Sequence, residues 1–282
     1  MRILLPPSEA KAEGGDGPSL RASGFGDGPL AEARADVARA VAAFCQADPN
    51  AASVALRLPA SRARADLAAN IALLDAPTRP ALDRFVGVLY QALAPAELPP
   101  AARAAADHTL FVSNGAFGFL GAAEPVPDHR VGMTAAVPGI GGRTAPTVLA
   151  AYWRARLAPV LPDLLAGIPD VVGEHLVVDL RSSDYATVPS LSGPLRACAL
   201  PVRALTEKRV DGRWARRPLS FQAKQTKGLL TRALLLAQVA GRLVKSIDDV
   251  AEVAESAGLV AEPRGTATAP TLDVIARWSP TA

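Results

Sequence analysis

The chain has 282 residues, 50% of them hydrophobic and 20% charged, and a net charge of +3. That length suits one large α/β domain or two smaller ones with a substantial core, and the charge is too low for a highly basic nucleic-acid coat. Only Cys45 and Cys198 are present, and His108, His129 and His175 are scattered, so a disulfide framework, a metal centre and any other cofactor are not expected; with no apolar run long enough for a signal peptide or a membrane span, a reducing cytoplasm is the natural compartment.

In chain order, "RILL" reads as a short buried strand and "PPSEAKAEGGDGP" as a loop rich in turn residues. Helical patterns follow at about 29–46, 61–74 and 79–92, the last with Thr78 as cap and Pro80 in its first turn. A Pro/Ala-rich connection over 94–104 leads to "HTLFVSNGAFGFLG", read as strand, glycine turn and second short element. "RTAPTVLAAYWRARLAPVLPDLLA" is a long helical stretch that Pro159 and Pro162 end or kink. The apolar run "HLVVDL" predicts a central strand and "RSSDYA" a loop or helix start. "ACALPVRAL" continues into a hairpin whose Asp211 and Gly212 suit a two-residue turn. The helix "SFQAKQTKGLLTRALLLAQ" follows, then a capped helix in "SIDDVAEVAESAG" and a last strand in "TLDVIARW". Strands and helices alternate irregularly, which gives a mixed α/β (α+β) fold and leaves strand order open.

Charge is concentrated in one segment. Between Arg203 and Arg232 nine basic residues face two acidic ones, a local excess of seven against +3 for the whole chain. Within it, the helix from residue 220 begins with cations at the end where its dipole disfavours them. With Ser220 as cap, Lys224, Lys227, Gly228 and Thr231 share a face and Arg232 lies at its edge. A mid-helix glycine costs roughly 1 kcal/mol relative to alanine, which is easier to understand where another backbone or a ligand comes close. The face suits an anion, or else it is a solvated cationic face with a glycine at a helix crossing.

A second cluster, Asp179, Arg181, Ser182, Ser183, Asp184 and Tyr185, follows the central strand, and carboxyl ends of strands are where open α/β sheets hold ligands. Its alternative reading is a helix cap at Ser182 or Ser183. Ser8, Glu9 and Lys11 lie in the loop after the first strand, where they could meet a phosphate or carboxylate, without the spacing of a P-loop. Arg130 stands between turn residues and an apolar run, and "GIGGR" reads as the entry to a helix.

Together, "RILLPPSEAK", "RFVGVLYQAL", "FGFL" with "HRVGM", "YWRARLAPVL", "VVDLRSSDY" and "FQAKQTKGLLTR" resemble the YaaA family of bacterial peroxide-stress-resistance proteins. The resemblance implies a single domain over 1–282, a fold particular to the family with a positively charged cleft, and binding of duplex or distorted DNA with help from a helix-hairpin-helix-like element. It implies DNA or anion contacts for Lys11, Arg130, Lys224, Lys227, Gly228 and Arg232, to which Ser8 is added from its place in the loop after the first strand, and it places Ser182 and Tyr185 on the post-strand motif. Asn114, Ala116, Gly121, Ala122 and His129 depart from the family's usual residues, which opens the way to an altered ligand.

The expected function is phosphate-led DNA binding in the cytoplasm. The alternative is an enzyme acting on a nucleobase, nucleotide or damaged DNA. There Lys224 would be the reactive group, its ammonium destabilised beside Lys227 at a helix start, with Asp179, Ser182 and Tyr185 in support. The partner is accordingly DNA or a nucleotide-like small molecule, with no membrane; the Ala/Leu-rich helix over 144–166 also admits a homo-oligomer.

Overall fold

A computed structural model describes residues 1–166, 176–210, 213–217, 220–266 and 268–277. His175 and the turn residues Asp211 and Gly212 lie outside that set.

The main sheet contains β1 (Arg2–Leu5), β2 (Leu110–Asn114), β3 (Gly118–Gly121), β4 (Val177–Asp179), β5 (Ala199–Val210), β6 (Arg213–Arg217), β7 (Val260–Thr266) and β8 (Ala269–Arg277). Its order is β7-β8-β5-β4-β1-β2-β3, with β6 paired to the far half of β5. The centre is parallel: Ile3 of β1 pairs with Leu110 of β2 and Val178 of β4, Val178 pairs with Leu200 of β5, and Val202 of β5 pairs with Leu272 of β8. Antiparallel pairs, β2 with β3 and β8 with β7, close the two ends. The mixed α/β class read from the sequence is therefore the observed one.

Central strands are buried on both faces and so read as largely apolar runs, with polar residues toward their carboxyl ends. Ile3, Leu4, Leu5, Val177 and Val178 are all fully buried. β7 was not legible because it carries Pro263 and Gly265, residues that an edge strand tolerates and a central one does not. Val210 pairs with Arg213, a register that leaves two residues between β5 and β6, as the hairpin reading requires.

The helices that matter for the site are α1 (Ala31–Ala47), α2 (Val88–Leu93), α3 (Pro100–Thr109), α4 (Leu149–Leu157), α5 (Ser220–Val239) and α6 (Ile247–Ser256). α5 packs on β5 and β8 and against α2, α3 and α6. Ser220 is its first helical residue. α6 has the expected N-terminus, where the Ser246 hydroxyl accepts from Asp249 N–H and the Asp249 carboxylate accepts from Ser246 N–H.

Two expectations are corrected. The helix predicted over 79–92 is two short pieces, Ala81–Arg84 and α2, separated by Gly87 at φ 134°. The N-terminal loop runs alongside that break: Ala12 N–H donates to Arg84 O, Val86 N–H to Ala10 O, and a Cβ on Gly87 would strike Ser8 Oγ. Thr78 is no cap, because its hydroxyl donates to Pro18 O at 2.8 Å. The connection predicted over 94–104 is also shorter than expected, since Pro100 opens α3, a position where its missing N–H costs nothing.

α4 ends at Leu157 and a second short helix spans Leu161–Leu165, so the prolines do interrupt the long stretch. Leu149, Tyr152, Trp153 and Leu157 are buried in the chain's own core. Trp153 donates to Gly115 O at 2.8 Å and covers Gly118, where φ is 72° and a Cβ would lie 2.7 Å from the indole.

Candidate functional site

β1, β2 and β4 are parallel and end on the same side of the sheet, at Leu5, Asn114 and Asp179. A cleft of about 840 Å³ opens there. Its walls come from the loop after β1 (Pro6 to Lys11), the start of α2 (Gly87 to Tyr90), the segment 129–135, the residues after β4 (Ser182 to Tyr185), and the first turns of α5 (Ala223, Lys224, Lys227). This is the crevice at strand carboxyl ends where α/β sheets hold ligands.

The cleft brings together Ser8, Lys11, Arg130, Ser182, Tyr185, Lys224 and Lys227. Arg57, which the sequence reading missed, joins them with a left-handed backbone (φ 53°). Glu9 and Asp184 are the carboxylates on the same lining.

Each cation is held differently. Lys227 donates to the Leu180 and Arg181 carbonyls at 2.7 and 3.2 Å, beyond the end of β4. Burial pulls its pKa down to about 8, against the opposing charge of Asp179 and with help from Lys224. Lys11 reaches only long contacts, 3.3 Å to Ser8 O and 3.5 Å to Glu9 O, and its ammonium lies 5.6 Å from the Phe85 ring centroid. Burial brings it to about 8 as well; Asp128 opposes the shift and Arg130 adds to it. Arg130 is held by the amide of Asn70, which accepts from its backbone N–H at 2.8 Å and donates to its carbonyl at 3.0 Å. The Arg130 guanidinium pairs with Glu9 at 2.7 Å and approaches Asp66 at 3.5 Å. Lys224 is exposed at the rim.

Three expected site residues sit elsewhere. Asp179 lies beneath the cleft and binds Arg181 bidentately, at 2.9 and 2.8 Å, while Arg181 donates onward to the Tyr185 and Pro189 carbonyls at 3.1 and 2.9 Å. The pair fixes the loop that presents Ser182. Gly228 faces α2, where a Cβ would collide with Leu89 O and lie 2.8 Å from Ala92 Cβ; the close neighbour is a backbone. Arg232 donates to the carbonyls of Leu93, Ala94 and Glu97 at 3.0, 3.1 and 3.2 Å and so caps the end of α2.

Ser182 occupies the position before the short helix Ser183–Ala186 without a side-chain cap bond. Burial raises the Tyr185 hydroxyl to about 12, opposed by a hydrogen bond from Met133 N–H. Tyr90 donates to Pro6 O at 2.9 Å, and burial raises it also.

Asn114 and His129 line the cleft, whereas Ala116, Gly121 and Ala122 do not. The Asn114 amide nitrogen meets His129 Nε2 at 3.0 Å, and His129 Nδ1 lies 2.9 Å from Pro127 O. Burial, followed by the nearby charge of Lys11, holds the imidazole well below its ordinary pKa and therefore neutral. Among the described residues no group of three His, Cys, Asp or Glu side chains could hold a metal, and no described helix is long and apolar enough to cross a membrane.

The fold and site thus define a mixed α/β protein with a cleft at the carboxyl ends of its central strands, whose lining includes Lys11, Arg57, Arg130, Lys224 and Lys227. The family described as "Peroxide stress protein YaaA" matches residues 1–263, and the chain belongs to it. Among its relatives, a UPF0246 protein of Streptomyces coelicolor is 34% identical over 254 residues, covering 89% of this chain and 90% of the relative. UPF0246 proteins of Corynebacterium efficiens and Corynebacterium glutamicum are 32% and 31% identical over 262 residues, each alignment covering 93% of this chain and 95% of the relative.

Proposed function

We propose that this protein is a cytoplasmic DNA-binding protein of the peroxide-stress type and that its cleft receives nucleic-acid phosphate. The observation that carries the reading is convergence: Lys11, Arg57, Arg130, Lys224 and Lys227 come from four separate stretches of chain to one cleft whose carboxylates are Glu9 and Asp184. The lining itself carries five cations and two carboxylates, with Asp66, Asp128 and Asp179 acting from behind it, and low-dielectric walls concentrate the excess field. Lys224 supplies a mobile charge at the rim, while Arg130 exchanges Glu9, whose side chain is 83% exposed, for an incoming anion. The size of the cleft matches one nucleotide unit better than the face of an intact duplex. Distorted DNA, in which a nucleotide is already displaced, therefore fits better than a regular helix.

The test is a salt series on intact duplex and on duplex with a gap or bend. Phosphate-led affinity falls linearly on a log–log plot with salt, and Lys224→Ala reduces the slope by roughly one. No binding at low salt, or an unchanged slope in the variant, defeats the reading.

A second reading, an enzyme acting on a nucleobase, nucleotide or damaged DNA, is favoured by one observation: Lys11 and Lys227 both have pKa values of about 8. Such lysines supply neutral amine near physiological pH, as a nucleophile or base requires. The sequence points to Lys224 as that amine, with Ser182 and Tyr185 on the same lining. Borohydride trapping on abasic DNA decides: a covalent adduct lost in Lys224→Ala supports the assignment, and an adduct retained there moves it to Lys11 or Lys227.

A further inference from the structure

Two hydrogen-bond donors on the cleft lining, the Asn114 amide and the Lys11 ammonium, are not fully matched by acceptors. Asn114, the last residue of β2, is 2% exposed. Its Oδ1 accepts from the backbone N–H groups of Ala116 and Phe117 at 2.8 and 3.1 Å. Pro127 O can only accept, so His129 Nδ1 carries the proton of the neutral ring, and Nε2 is left as a lone pair that accepts one Asn114 amide hydrogen at 3.0 Å. The amide cannot be reversed. A flip would set its NH2 group against two backbone N–H groups and its oxygen against the imidazole lone pair.

One amide hydrogen is thus committed to His129, and the other has no acceptor among the described residues. Lys11 shares the lining, its charge reaches His129, the partner of Asn114, and its own backbone contacts are long. Asp128, Asp66 and Glu9 act on Lys11 through their charge alone, Glu9 being paired with Arg130 and Asp66 lying 3.5 Å from the same guanidinium. A buried donor without a partner costs free energy until a ligand supplies an acceptor.

We propose that this part of the cleft reads a ring carbonyl, with Asn114 Nδ2 and Lys11 Nζ donating to the exocyclic oxygen of a 6-oxopurine nucleotide whose phosphate lies toward Lys224. The inference rests on the phosphate-receiving reading of the cleft and adds a base preference to it. An adenine nucleotide places its 6-amino group, a donor, against donors that cannot reorient, and leaves them unpaired. A site built to hydrogen-bond one substituent rejects its opposite for this reason.

The experiment is calorimetric titration of the full chain with inosine monophosphate and adenosine monophosphate, which present an oxo and an amino group at the same position. Inosine monophosphate binds about tenfold tighter or more, the factor set by one unsatisfied buried donor. Asn114→Asp keeps an acceptor for Ala116 and Phe117 N–H and replaces the amide donor with oxygen, so the preference disappears while circular dichroism shows the native fold. Equal affinities, tighter binding of adenosine monophosphate, a preference that survives in a folded Asn114→Asp, or no binding of either nucleotide overturns the proposal. The two ligands decide it even where the variant fails to fold. If neither nucleotide binds while DNA still shows a salt slope that Lys224→Ala reduces, the base preference fails and the phosphate reading stands; if nothing binds, both fail.

Discussion

Replacing Gly228 by alanine tests how the cationic helix is seated. The added Cβ would overlap Leu89 O and lie 2.8 Å from Ala92 Cβ and 3.0 Å from the Leu89 carbonyl carbon. Carbon atoms at optimal separation are about 3.5–4.0 Å apart, so α5 and α2 must part by roughly 0.7 Å or more. Overpacking of this kind costs about 1–3 kcal/mol, and the helix-propensity gain of about 1 kcal/mol from losing a glycine offsets part of it. The clash is with a backbone oxygen, so the cost falls in the upper part of that range, and the expected net destabilisation is about 1–2 kcal/mol, read as a lower urea midpoint at unchanged slope. Because α2 and α5 both contribute to the cleft wall, ligand affinity falls with stability. Gly28→Ala is the control, since a Cβ there meets nothing within 4 Å and its φ is ordinary; that variant keeps the parent midpoint or slightly exceeds it. A Gly228→Ala protein as stable as the parent would refute the close-packed crossing and return the glycine to a ligand-facing role.

Arg232→Ala removes the donors that hold the Leu93, Ala94 and Glu97 carbonyls, so stability drops by about 1–2 kcal/mol while the salt slope of DNA binding stays at the parent value; a flatter slope would make Arg232 a phosphate contact. Asp179→Ala strands the Arg181 guanidinium, whose side chain is 0% exposed, and lowers the unfolding free energy by about 3 kcal/mol or more in urea titration, because a buried charge loses its counter-charge. The two depressed lysines set the pH response. Lys11 and Lys227 hold their protons below about pH 8 in the fold and to near 10.5 when unfolded, so between those values the unfolded chain binds more protons and these groups make stability rise with pH. Phosphate affinity moves the opposite way, falling as pH climbs through about 8. Binding at pH 8 takes up protons, measured as a dependence of calorimetric enthalpy on buffer ionisation; proton release would contradict the assignment.

What the sequence disclosed follows from how local each cause is. β1 and β4 were legible because a strand buried on both faces reads as a largely apolar run. Lys224 and Lys227 stood out because cations at a helix start oppose the dipole. Arg84 gave no such signal. It looks like a helical surface residue, yet it is fully buried and its guanidinium donates to the carbonyls of Val126, Ala12, Gly14 and Pro77. Those partners are up to 72 positions away, and nothing in the local pattern announces them. The same holds for the support beneath Arg130, which comes from Asn70 in a distant helix. Asn114 and His129 were noticed as departures from a family pattern, but their pairing became visible only once β2 and the segment after residue 127 met. Arg232 lay on the face that the helical wheel made continuous with the lysines; the wheel does not show that α2 ends against that face.

The central claim, that one cleft receives nucleic-acid phosphate, is tested most directly by competition. Labelled distorted duplex is bound to the full chain at low ionic strength, and pyrophosphate is titrated in with ionic strength held constant by a compensating salt. The account predicts displacement of the DNA over the range in which pyrophosphate itself binds by calorimetry, with both affinities weakened together in Lys224→Ala. DNA that remains bound while pyrophosphate saturates the protein would place the nucleic acid on another surface and contradict the account.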